Sequence, residues 1–232
     1  MDARTSRQGL LAVAAVAFLA LAGALLTQSP KGKIVGPHDT ATITGAQRGA
    51  GPRFAATVAP ADRAWIEAAM RAARPEAQPL IALVDGLVEF RTVAGAPQSL
   101  VLPDAVPLGL TRMRRVDGDA AFTIDLNTAM LDGRRVQDRD VVVLHELGHV
   151  IDLAAVPTSL GDRLEAAIPP AGACPQGTLD LAGSCTDPAE RFADTFAKWA
   201  LRGRVSAAGA GYGVPSPPSL EDWGAPLPAL AR

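Results

Sequence analysis

Val141-Val142-Val143-Leu144-His145-Glu146-Leu147-Gly148-His149-Val150-Ile151 is the stretch on which the reading of the fold turns. Three ionisable side chains stand in an otherwise apolar run, and the segment is expected to form a buried helix that starts at Asp138 or Asp140, runs to about Ala154 and stops near Pro157. Helical positions four apart are offset by about 40° around the axis, so His145 and His149 project from one face and can share one ion. Glu146 stands about 100° further round, beside such an ion rather than on it, where a carboxylate can take a proton from water. Burying two imidazoles and a carboxylate among Val, Leu and Ile is costly unless something pairs with them, and a metal ion does so directly. The alternative is a pair of core histidines that satisfy each other or nearby carbonyls. The spacing H-E-x-x-H on a helix is that of a zinc hydrolase, with one ion.

The third ligand must come from elsewhere. The chain has three histidines, and the remaining one, His38, lies in a Gly/Pro/Thr-rich segment. A histidine close behind the motif is therefore excluded, and a carboxylate is expected. Asp187-Pro188-Ala189-Glu190-Arg191-Phe192-Ala193-Asp194-Thr195-Phe196-Ala197 reads as a helix with Asp187 at its N-cap and Pro188 at its first position. Glu190 and Asp194 share a face opposite Phe192, Phe196 and Trp199, an arrangement that suits one carboxylate on the metal and one behind it. Other readings of these residues stand beside this one. Glu190 could be the reciprocal partner of a capping box, and Asp194 a solvated residue paired with Lys198. Asp152 projects about 20° from His145, on the metal-facing side of the first helix, and competes for the ligand position.

With H-E-x-x-H followed by a helix bearing E-x-x-x-D, the chain resembles the gluzincin metallopeptidases, the thermolysin-like superfamily. The resemblance covers the two helices. It implies that Glu190 is the third zinc ligand and that Asp194 orients the first histidine. It further implies a zinc-dependent peptidase whose substrate is a peptide or protein, cleaved by a zinc-activated water with Glu146 as general base. Two alternatives remain: a non-catalytic, zinc-stabilised binding module, and a zinc hydrolase acting on a non-peptide amide. No residue is identified as stabilising the oxyanion; Tyr212, the only tyrosine, lies in the C-terminal tail.

Residues Leu10 to Leu26, behind Arg4 and Arg7, contain no polar side chain and read as an export signal, either cleaved or retained as a membrane tether. The expected location is extracytoplasmic, secreted or anchored at the N-terminus. The two cysteines, Cys174 and Cys185, are then most simply a disulfide that fastens the segment leading into the Glu190 helix. A net charge of −2 without a basic block leaves no footprint for nucleic acid, and no Gly-rich loop suits a nucleotide.

Residues 1–27 are thus read as signal peptide or anchor, 28–60 as a flexible tether, 61–205 as the metallopeptidase domain and 206–232 as an irregular Pro/Gly-rich tail, whose Tyr212 and Trp223 could dock on the domain. Within the domain a helix capped by Asp62 precedes strands at Leu80 to Val84, Leu87 to Val93, Leu108 to Arg112 and Ala121 to Asn127; a short helix at Leu160 to Ile168 follows the motif. The fold class is α+β: a small zincin-like domain with a short mixed sheet and an active-site helix packed on further helices. Phe122-Thr123-Ile124-Asp125-Leu126 alternates apolar and polar just before the motif helix, where zincins place the edge strand that pairs with extended substrate. An ordinary meander strand is the other reading.

Overall fold

Proline and the apolar pattern fix most element starts. The computed structural model describes residues 49–94, 108–116, 119–133, 136–171, 184–205 and 213–232, all within the unit Thr40–Arg232. Helix α1, Pro60–Ala72, begins on a proline whose φ is already helical. Asp62, expected as its cap, lies inside the first turn and accepts a hydrogen bond from Trp65 Nε1 at 2.9 Å. Helix α2 is Gln78–Val84. This corrects the strand expected at Leu80 to Val84. A five-residue apolar run has no period to read, and Pro79 within its first turn, with Leu80, Ile81, Leu83 and Val84 all buried, decides for helix. Gln78 Nε2 donates to Met70 O at 3.0 Å and Ala73 O at 2.9 Å, closing the C-terminus of α1.

A four-stranded mixed sheet follows, ordered β1-β2-β4-β3. Its strands are β1 (Arg53–Phe54), β2 (Val88–Val93), β3 (Gly109–Val116) and β4 (Asp119–Asn127). β1 runs parallel to β2 and β2 parallel to β4, whereas β3 is antiparallel to β4. The expected edge segment Phe122–Leu126 is therefore interior, paired through Ile124 with Phe90 on one side and Thr111 on the other. The edge beside it is β3. Alternation of apolar and polar residues marks a strand with two different faces, but not its neighbours, so it could not distinguish edge from interior. Even the polar members Thr123 and Asp125 are buried, and Asp125 pairs with Arg112 of β3.

Helix α3, Val136–Ala155, carries the motif and packs on α1, α2, β3 and the later helix α5. Val141 to Leu144, Leu147, Val150 and Ile151 are all buried, as a helix apolar on every side requires. Helices α4 (Thr158–Ala166) and α5 (Pro188–Ala200) complete the part foreseen from the sequence. Asp187 caps α5, its Oδ1 accepting the Ala189 N–H at 2.9 Å.

The described parts of both flanks, residues 49–60 and 213–232, hold elements that the sequence did not announce. Arg53–Phe54, inside the supposed tether, joins the sheet, and Phe54 stacks on Phe90 with centroids 5.8 Å apart. The supposed irregular tail forms α6 (Leu220–Gly224) and a 3-10 turn, Leu227–Ala231. Trp223 and Leu227 are buried, Trp223 Nε1 donates to Leu164 O at 3.1 Å, and Glu221 takes a forked pair of hydrogen bonds from Arg74 at 2.9 and 2.6 Å. Two large apolar anchors outweigh the Pro/Gly composition here, since burying each stabilises by about 1.5–3 kcal/mol. Tyr212, Cys174 and the Leu10 to Leu26 run lie outside the described residues. Among the described residues no helix is long and apolar enough to cross a membrane.

Candidate metal centre

Helices α3 and α5 cross at a glycine. A Cβ on Gly148 would stand 2.9 Å from Ala193 Cα, a distance that side chains do not tolerate against backbone. Only a residue without a side chain lets α5 lie this close, and Glu190, one turn before Ala193, is thereby carried onto the histidines of α3. Its Oε2 is 3.1 Å from His145 Nε2 and its Oε1 3.6 Å from His149 Nε2. The two imidazole Nε2 atoms are 3.1 Å apart, their rings edge to face at 87°. One donor atom from each of His145, His149 and Glu190 lies within 4.8 Å of the others, and this group could hold a metal ion. Glu190 thus turns toward the imidazoles rather than back to the helix start as a capping-box partner would.

Electrostatics favour positive charge in this group. Burial alone would lower the pKa of His149, but the hydrogen bond and charge of Glu190, aided by Glu146 and Asp152, push it up to about 9. Burial likewise works to raise Glu190, yet its hydrogen bonds to His145 and His149 hold its carboxyl well below the usual range. A cation shared by the three would draw on the same attraction. Exposure is one-sided: the side chain of His145 is 1% exposed, against 14% for His149 and 27% for Glu190. Among the described residues the group thus supplies three donors, with its more exposed side at His149 and Glu190.

Glu146 is 2% exposed and does not belong to the three-residue group. Its carboxylate meets the edge strand instead. Thr111 Oγ1 donates to Glu146 Oε2 at 2.6 Å, and a Cβ on Gly109 would lie 2.5 Å from Glu146 Oε1. Neither β3 residue, nor Gly148 as the crossing point, was found by sequence reasoning. Gly148 sits inside the motif, and its buried helical position was the available signal; Gly109 and Thr111 carry no local pattern at all.

Asp194 is fully buried, and Lys198 Nζ lies 2.5 Å from its Oδ2 while also donating to Val214 O at 2.5 Å. The i,i+4 partner weighed from the sequence is present, but within the protein rather than on a solvated face. Asp152 is half-buried and is not one of the three donors; its Oδ1 lies 4.0 Å from where a Cβ on Gly161 would stand, toward α4. Cys185 is buried and disulfide-bonded, in the 3-10 turn Ser184–Thr186 immediately before α5. The other cysteine of the chain, Cys174, lies outside the described residues.

Compared with protein-family models, with curated proteins and with solved structures, the chain matches none.

Proposed function

We propose that this protein is an extracytoplasmic, zinc-dependent metallopeptidase of gluzincin type. The observation that carries the reading is the convergence of His145, His149 and Glu190 from two helices, with Glu146 beside the group and outside it. Two imidazoles and a carboxylate form one of the donor sets that hold catalytic zinc. Zinc bound by such a set polarises a carbonyl and lowers the pKa of a coordinated water to about 7.

The chain's own residues do the rest. Glu146 accepts a proton at its carboxylate as water attacks the peptide carbonyl, and returns it to the departing nitrogen. Strand β3, whose outer edge faces no other described strand, offers main-chain groups to an extended peptide, a role assigned from the sequence to Phe122–Leu126. Because Thr111 of that strand touches Glu146, a peptide paired with β3 runs past the base. The disulfide at Cys185 supports an oxidising compartment and hence export through the Leu10 to Leu26 run.

The test is cleavage of a mixed peptide library by zinc-loaded protein, with Glu146→Gln as control. Cuts made only by the unaltered chain are expected, and equal cleavage by both would end the mechanism. Zinc binding without any cleavage would instead favour a binding module or a non-peptide amide substrate.

A further inference from the structure

A carboxylate next to a cation site has two destinations: onto the ion as a further ligand, or off it as a base. Helical spacing sets where the Glu146 backbone stands, but the side chain is long enough to reach either. The contacts with β3 decide between them. Thr111 Oγ1 lies 2.6 Å from Glu146 Oε2 and 3.2 Å from the main-chain oxygen of the same residue. A hydroxyl has one proton, and the shorter contact to a carboxylate is the stronger claim on it. The other carboxylate oxygen lies against Gly109, in space that any side chain there would fill. Gly109 and Thr111 are alternate residues of one strand, so they face the same side, in register with Leu126 and Ile124. Together they make a notch, open at 109 and hydrogen-bonding at 111, into which the carboxylate fits.

We infer that Thr111 is a positioning residue, whose hydroxyl, with the notch at Gly109, holds Glu146 on the β3 side of the cluster. Held there, Glu146 would stay clear of an ion bound by His145, His149 and Glu190 and would remain free to take a proton, next to the strand on which the peptide is proposed to lie. The inference rests on the reading of Glu146 as the base. A merely structural hydroxyl, one that only satisfies a buried carboxylate, would alter stability and leave turnover alone.

Thr111→Val keeps the shape and removes the donor, while Thr111→Ser keeps the donor. The Val variant is expected to lose roughly tenfold or more in kcat, a part of the roughly 10²–10⁴-fold ascribed to general-base action, with KM and zinc content unchanged. The Ser variant is expected to stay within about threefold of wild type, since it retains the hydrogen bond. Wild-type kcat in the Val variant, or a Ser variant as slow as the Val one, overturns the inference. A second measurement needs no substrate: a double-mutant cycle of Thr111→Val and Glu146→Leu in denaturant unfolding. Charged hydrogen bonds predict unfolding constants that depart from additivity by about tenfold or more. Strict additivity overturns the inference, whatever the kinetics. If no protein cleaves peptide, wild type included, while the cycle is non-additive, the peptidase reading fails and the hold of Thr111 on Glu146 stands.

Discussion

Helix α3 and strand β3 both touch Glu146, but they are specified in different ways. α3 carries its part of the site within five consecutive residues, because a helix brings i and i+4 together whatever the rest of the chain does. β3 contributes an absent side chain at Gly109 and a hydroxyl at Thr111, and both acquire meaning only when the strand is laid against α3. The difference teaches that the His145–His149 pair is a local property of this sequence, whereas the placing of Glu190 and Glu146 around it is a tertiary one. Substitutions on the two elements should therefore fail differently.

The largest effect is expected at Glu190. Removing it as Glu190→Ala should weaken zinc retention by more than roughly a hundredfold, the upper range for losing only an outer partner of a ligand. Competition with a chromophoric chelator measures this, and Asp152→Ala is expected to leave the titration unchanged. A large loss in Asp152→Ala with none in Glu190→Ala would move the third ligand onto α3 itself and dissolve the two-helix site.

Next in size is Gly148→Ala. Alanine gains up to about 1 kcal/mol in helix propensity, but its Cβ would meet the Ala193 backbone at 2.9 Å, and overpacking of that kind costs about 1–3 kcal/mol. The clash wins because backbone cannot swing aside. Stability and zinc affinity should fall together, as the helices part and Glu190 withdraws from the imidazoles. Gly109→Ala sharpens the contrast. Its new Cβ would meet the Glu146 side chain at Oε1, Cδ and Cγ, so the carboxylate must swing aside and give up its bond to Thr111, at about 1–3 kcal/mol. Turnover should fall with zinc content unchanged. Denaturant melts and metal analysis on the two variants separate a glycine that sets the metal site from one that sets the base; identical profiles would break the distinction.

How much of the molecule was legible follows the same division. The motif helix, the Asp187-capped helix and the α+β class were readable because caps, prolines and four-residue spacings act over a few residues. Leu80 to Val84 was misread since a short apolar run has no period. Phe122–Leu126 was recognised as a strand and given the wrong place, because the identity of a strand's neighbours depends on residues far along the chain. The C-terminal tail was read only in part: Trp223 docks on the domain as expected, with its ring centroid 5.6 Å from that of Phe192, but the short helices around it and the second anchor Leu227 went unread because they form only once α4 and α5 present a surface to receive them.

That tail supplies the smallest effect. Arg74, buried over the Trp199 ring at 5.0 Å, grips Glu221 through two hydrogen bonds, and it is chiefly this grip that lowers the Glu221 carboxyl from its ordinary value of 4.5. A carboxyl depressed in the folded state contributes stability above its unfolded pKa and loses it as pH falls through the folded value. Glu221→Gln should therefore lower Tm at pH 7, and the gap to wild type should narrow below about pH 4.5. The gap should also be smaller than that of Gly148→Ala, because Glu221 is 65% exposed and solvent screens the pair, and because Arg74 keeps Glu76 at 3.0 Å as a second partner. Thermal melts of both proteins across pH 3 to 7 check this. A gap constant over that range would mean that the tail is held by Trp223 and Leu227 alone, and that its order, like that of β3 against Glu146, is a matter of packed surfaces that no single charge controls.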